Sequence, residues 1–177
     1  MTRIKVWDPV VRLFHWSLVG AFVANAFFTD AERLLHRQVG YVVVGLISLR
    51  VVWGLVGSKY ARFASFPPNP AAALGQVADM ATGRKRLHIG HTPLGALMIY
   101  NLLLSMVVIG GSGYMMTLNA YFGIQWVKEL HELAVTWAEV SVVAHIAAVL
   151  WESRRTGVNL PLAMVTGTKT FPDGAEL

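Results

Sequence analysis

With no cysteine in the chain, six histidines, seven methionines and ten carboxylates are the side chains that could hold a transition metal. That composition excludes disulfides, thiolate-bound zinc, iron–sulfur clusters and covalently attached c-type haem. Two of the histidines, His131 and His145, are fourteen residues apart. On a helix that spacing is four turns less about 40°, so the two share a face and lie ~21 Å apart along the axis. Imidazoles stacked in this way offer one ligand at each of two levels. His15 and His36 could supply a second ligand at each level, provided that helices bring them there.

The elements available for that task are set by composition. Of the 177 residues, 55% are hydrophobic and 14% charged, with a mean hydropathy of +0.51. This is too little polar surface to coat a soluble globule of this size. Four apolar stretches, at about 10–28, 39–57, 93–118 and 130–151, are each close to the ~20 residues that cross a ~30 Å hydrocarbon layer as a helix. The first has cations before it, as a signal peptide would, but no small-residue cleavage site follows, and it is expected to be retained. The expected fold is all-α, an integral membrane four-helix bundle over residues 1–157, with residues 158–177 as a short cytoplasmic tail. The 58–92 connection is broken by Pro67, Pro68 and Pro70, and Ala71 to Thr82 could form a short surface helix.

Eleven cations fall on one side of these spans: Arg3, Lys5, Arg12, Lys59, Arg62, Arg84, Lys85, Arg86, Arg154, Arg155 and Lys169. The opposite side has Arg33, Arg37 and Lys128 facing Asp30, Glu32, Glu129 and Glu132. The positive-inside rule then puts both termini in the cytoplasm. The net charge of +5 is largely topological and does not imply a nucleic-acid partner.

In this topology His15 lies at the depth of His145, and His36 at that of His131. Two axial pairs are expected, His15 with His145 and His36 with His131, in the core of a bundle where such sites are built. Bis-imidazole ligation suits iron in a porphyrin and suits electron transfer better than oxygen binding. Taken singly, each histidine could equally be an interhelical hydrogen bonder. Arg50 follows His36 by fourteen residues and could reach a propionate at the inner level, or snorkel to headgroups. Glu139 sits ~80° off the ligand face, as a proton acceptor or facing a polar gap.

These residues resemble the bacterial cytochrome b561 proteins and the related b-type cytochrome subunits of nickel–iron hydrogenases. The elements that carry the resemblance are Val6-Trp-Asp-Pro-Val-Val-Arg-Leu-Phe-His15-Trp, Leu35-His36-Arg-Gln-Val-Gly-Tyr with Arg50 following, Gly90-His91-Thr-Pro, and Leu130-His131-Glu with His145. The resemblance covers nearly the whole chain. It implies two non-covalent b haems held by His15, His36, His131 and His145, and exchange of electrons with the quinone pool. His91, in the Gly-His pair, is a candidate for propionate contact or quinone protonation, with a headgroup-level surface histidine as the alternative. His88 abuts a basic run at the same surface.

The implied function is electron transfer in the bacterial cytoplasmic membrane between quinone and a periplasmic c-type cytochrome or hydrogenase-like enzyme. The chain would be a carrier subunit more than a stand-alone enzyme. The alternative within the family is a superoxide:quinone oxidoreductase, which would benefit from a cationic funnel at the outer haem. The three cations and four carboxylates of that face do not offer one.

Overall fold

A computed structural model describes residues 1–31 and 33–174; Glu32, counted above with the outer carboxylates, lies outside the described residues. The elements are β1 (Thr2–Lys5), α1 (Pro9–Phe27), α2 (Leu34–Val56), α3 (Pro70–Ala81), α4 (Pro93–Met115), α5 (Gln125–Thr156), α6 (Leu160–Thr166) and β2 (Thr168–Phe171). Four of them, α1, α2, α4 and α5, are long and apolar enough to cross a membrane.

Local chemistry starts α1, α3, α4 and α6 in one recurrent way, an oxygen-bearing cap next to a proline. Asp8 Oδ1 accepts from Val11 N ahead of Pro9, and Asn69 Oδ1 accepts from Ala72 N ahead of Pro70. Thr92 Oγ1 accepts from Gly95 N ahead of Pro93, and Asn159 Oδ1 from Leu162 N beside Pro161. Each cap satisfies an amide that the first turn leaves over, where proline has none to satisfy. α2 begins earlier than its apolar run suggests, so His36 lies inside its first turn. α5 extends beyond 130–151 at both ends, because its terminal turns are helical but charged: Lys128 pairs with Glu132 and Arg155 with Glu152. Such i,i+3 and i,i+4 pairs sustain helix where hydropathy is silent.

The chain divides into two compact units. One comprises Leu13–Val51 and Asn101–Val142. Its core is Phe14 from α1, Val43 and Ile47 from α2, Met106 from α4 and Ala138 from α5, so all four spanning helices meet in it. Close approach depends on small residues: a Cβ on Gly110 would lie 2.7 Å from Val44 Cγ2. Asn101 links α4 to α5, donating to Ser141 Oγ and accepting from Trp137 Nε1, both at 2.9 Å. Its outward surface is apolar, with Leu104, Leu133, Val140 and Trp137 more than half exposed, as a lipid-facing surface should be.

The other unit comprises Met1–Arg12, Val52–Tyr100 and the chain from Val143 onward. Here the segment expected to be a short tail folds as α6 and β2, and β2 pairs antiparallel with β1 from Thr2↔Phe171 to Lys5↔Thr168. Gly167, at φ 86°, accepts from both Val6 N and Trp7 N. A Cβ there would come within 2.6 Å of Trp7 O. Arg12 Nη1 donates to Val165 O near the C-terminal end of α6. Asp8 does double duty: besides capping α1, its Oδ2 accepts from Trp53 Nε1 and Ser58 Oγ, tying the start of one span to the end of the next.

Burial pushes the Asp8 carboxyl up, and the hydrogen bonds from Ser58, Val11 and Trp53 outweigh it, leaving its pKa below the ordinary 3.8. A depressed carboxyl contributes stability that is present above the ordinary value and is lost as pH falls through the folded one. Asp8→Ala should therefore lower the thermal midpoint in detergent by an amount reflecting a lost cap, typically ~1 kcal/mol, together with two stranded donors. Its acid limb should be flatter than that of the wild type. Equal midpoints and parallel acid limbs would rule out this role.

Candidate functional site

Of the histidines singled out by spacing, the structure brings His36 and His131 together. Their ring centroids are 6.3 Å apart with planes at 65°. His36 enters from the first turn of α2 and His131 from the second turn of α5, and both are half-buried.

The hydrogen bonds fix which ring nitrogen is left over. His131 Nδ1 lies 3.0 Å from Ile109 O, and a carbonyl only accepts, so Nδ1 carries the proton and Nε2 keeps a lone pair. Ser112 Oγ, 3.1 Å from the same nitrogen, donates its own hydrogen to Val108 O. His36 Nδ1 lies 3.1 Å from Thr29 Oγ1, whose hydrogen is directed to Asn25. Both rings are thus held from the Nδ1 side in the manner of metal-ligating histidines. Two imidazoles on opposite sides of one metal need about 2 Å for each metal–nitrogen bond and about 1 Å more to each ring centre. The sum, about 6 Å, matches the observed separation. Gly113 keeps the space beside His131 open, since a Cβ there would lie 3.2 Å from His131 Cε1.

His15 and Arg50 belong to the same unit as this pair, and His145 to the other. His15 is half-buried and meets Trp16 edge-on at 4.9 Å. Arg50 is buried on α2, at 4% exposure. His145 and Glu139 are half-buried on α5.

In the termini-bearing unit, His91 contacts two aromatic rings at tilted angles, Trp7 at 4.6 Å and Phe66 at 4.1 Å. Phe66 in turn contacts Phe63 and Tyr100. The loop carrying His91 is held by a residue that spacing and hydropathy did not single out. Lys169, on β2, is 3% exposed and donates to His88 O at 3.0 Å and Gly90 O at 2.7 Å. Its ammonium also lies 5.4 Å from the Trp7 ring centre. In the sequence it is one more cation after the last span, and only the β1–β2 pairing turns it inward. Thr29, Ser112 and Asp8 were also missed. A helical wheel around Asp8-Pro9 or Ser112-Gly113 would have raised two of them, but Thr29 reaches His36 across a turn that no periodicity describes. Burial lowers the pKa of His88, with the Arg86 backbone opposing.

Burial likewise brings the Lys169 ammonium down from 10.5 to about 8, against a raising influence from Glu152. Between those values the unfolded chain holds the proton and the folded chain does not. Stability should therefore rise with pH across that window, by at most roughly 3 kcal/mol for a shift of this size. The neutral amine still has two hydrogens for the two carbonyls. Thermal midpoints measured from pH 7.5 to 9.5 should climb for the wild type relative to Lys169→Met, which should start lower because both carbonyls lose a donor. Parallel profiles would refute the assignment.

The chain matches the family profile described as prokaryotic cytochrome b561 over residues 6–167. It is also 22% identical, over 217 residues, to a protein of Rhizobium leguminosarum bv. viciae described as "Probable Ni/Fe-hydrogenase B-type cytochrome subunit". That alignment covers 96% of this chain and 90% of the relative. No solved structure matches the chain. With a profile match that runs from the Trp7-Asp8-Pro9 cap to Gly167 and takes in all four spans, the chain belongs to the prokaryotic cytochrome b561 family and is a bacterial membrane b-type cytochrome of electron transfer.

Proposed function

We propose that the protein moves electrons across the cytoplasmic membrane on two non-covalent b haems, between the quinone pool and a redox enzyme or c-type cytochrome on the periplasmic side. The observation that carries this reading is the His36–His131 pair: a centroid separation of 6.3 Å, with both Nδ1 atoms engaged. Two imidazoles at this spacing would fill two positions of a six-coordinate iron, and the macrocycle of a b haem would supply the other four. Among the described residues no group of three or more histidines and carboxylates gathers to complete a bare-metal site.

His15 and His145 are the proposed second pair, one helix level away, ~21 Å along α5 by the rise from His131 to His145. The haem irons would supply the one-electron couple. The protein holds the His36 and His131 rings from their Nδ1 sides. Arg50 offers a buried guanidinium for a propionate. His91, in contact with the Trp7 and Phe66 rings, is the proposed contact for a propionate or for a quinone proton. Both termini and the 58–92 connection are assigned to the cytoplasm on the distribution of eleven cations against three.

A stand-alone superoxide:quinone oxidoreductase would require unneutralised cations around His36 and His131. Arg33 is instead tied to Asp30 and Lys128 to Glu132, so that among the described residues only Arg37 of the three outer cations forms no ion pair, which favours a carrier that docks a protein partner.

Purified protein should show a b-type reduced-minus-oxidised spectrum with two haems per chain by pyridine haemochrome. One haem or none would overturn the four-ligand assignment. His36→Ala and His131→Ala should each remove the same spectral component. Gly113→Val should remove it as well, by crowding His131, while leaving the other component intact. Loss of different components in the two histidine variants would refute the pairing.

A further inference from the structure

α3 is built the wrong way round for a helix facing water. Its inward residues are Ala73, Gln76 and Asp79, so both polar groups with hydrogen-bonding reach point into the protein. Gln76 Oε1 accepts from Leu94 N at 2.9 Å, and Asp79 pairs with Arg86 at 2.9 Å. The outward arc holds Ala71, Leu74, Val77, Ala78 and Ala81, all exposed, with Leu74 at 70%. An ordinary surface helix has the opposite pattern. The Gln76 bond also fixes the height of α3, because Leu94 is the second residue of a membrane-spanning helix. The middle of α3 therefore lies level with the point where α4 begins its crossing.

Charge identifies what covers this face. In the connection from 58 to 92 the sole acid is Asp79, already paired, against Lys59, Arg62, Arg84, Lys85 and Arg86. The unit's other described carboxylates are also committed: Asp8 to Ser58 and Trp53, Glu152 to Arg155, and Asp173 to the amino group of Met1. Among the described residues, Lys59, Arg62, Arg84 and Lys85 form no ion pair, and all four are exposed. An apolar arc flanked by unmatched cations at the level where a span begins suits the boundary layer of an anionic bilayer. A protein partner would have to bring both an apolar groove and a ring of acids.

We propose that α3 is an interfacial anchor, its Leu74–Val77 face seated among acyl chains and its flanking cations, chiefly Arg84 and Lys85, bound to the phosphates of anionic phospholipids. The anchor would hold the 58–92 connection, and with it the His88–His91 loop, against the membrane surface.

The cysteine-free chain makes the test direct. Leu74→Cys, and Leu104→Cys as a lipid-facing benchmark on α4, are each spin-labelled in the haem-loaded protein and reconstituted into vesicles. The vesicles are phosphatidylcholine alone or phosphatidylcholine with one-third phosphatidylglycerol. Power-saturation EPR then compares access by oxygen and by an aqueous nickel chelate. In the anionic vesicles the Leu74 label should approach the Leu104 ratio, with oxygen favoured several-fold over nickel. The ratio should fall in phosphatidylcholine alone, and the difference between the two lipids should vanish when Arg84→Gln and Lys85→Gln are added. Three results would overturn the proposal: a label open to nickel in both lipids, a ratio indifferent to phosphatidylglycerol, or a label closed to both oxygen and nickel, as under a protein partner. An unchanged haem spectrum in the labelled protein certifies its fold.

Discussion

A membrane-spanning segment has no water available to complete a hydrogen bond, so the protein itself must orient every imidazole placed there. Ile109 O meets this constraint for His131, since one carbonyl sets the tautomer and leaves the other ring nitrogen as a base. Thr29 does the same for His36 from outside the helix that carries it. Spacing alone would allow a histidine to swing among rotamers, and these contacts restrict it. α4 and α5 approach closely beside the pair, where a Cβ at 113 would lie 3.2 Å from His131 Cε1. The helices are in this sense fitted to the rings, rather than the rings being added to a finished bundle.

Burial imposes a similar requirement on the polar groups of the termini-bearing unit. Asp8, Gln76, Asp79, Glu152 and Lys169 are each turned inward to a named donor or acceptor. Together they convert the connections between spans into a folded unit with its own core of Val6, Trp7 and Ala163. Lys169 shows the cost of such a design. Its cation is desolvated enough to bring its pKa down to about 8, and it is retained because two carbonyls of the His88–Gly90 turn would otherwise lack a donor.

Much of this was legible in the sequence, for identifiable reasons. The spans were legible because a run of about twenty apolar residues with hardly a charge is at home only in a hydrocarbon layer. That one helix carries both His131 and His145 was legible because the apolar run around them is unbroken. The meeting of His36 with His131 was expected from depth alone, and the structure places the two rings side by side. The ends of α2 and α5 were less visible, since charged terminal turns carry no hydropathy signal. The fold of residues 158–174 was hidden for a different reason. A four-residue strand such as Thr168–Phe171 has no meaning until its partner is known, and that partner lies more than 160 positions earlier. Lys169 was counted with the topological cations because nothing local marks a lysine that will be turned inward.

Pairing Thr2 with Phe171 also has a consequence in time. β1 is synthesised before any span and β2 only after all four, so β1 has no partner while the helices enter the bilayer one after another. A short open strand next to Trp7 is a place where another chain could pair in error. The sheet closes only when Gly167 and the residues after it leave the ribosome. β2 therefore determines when β1 becomes ordered, a long-range closure of the kind that slows folding.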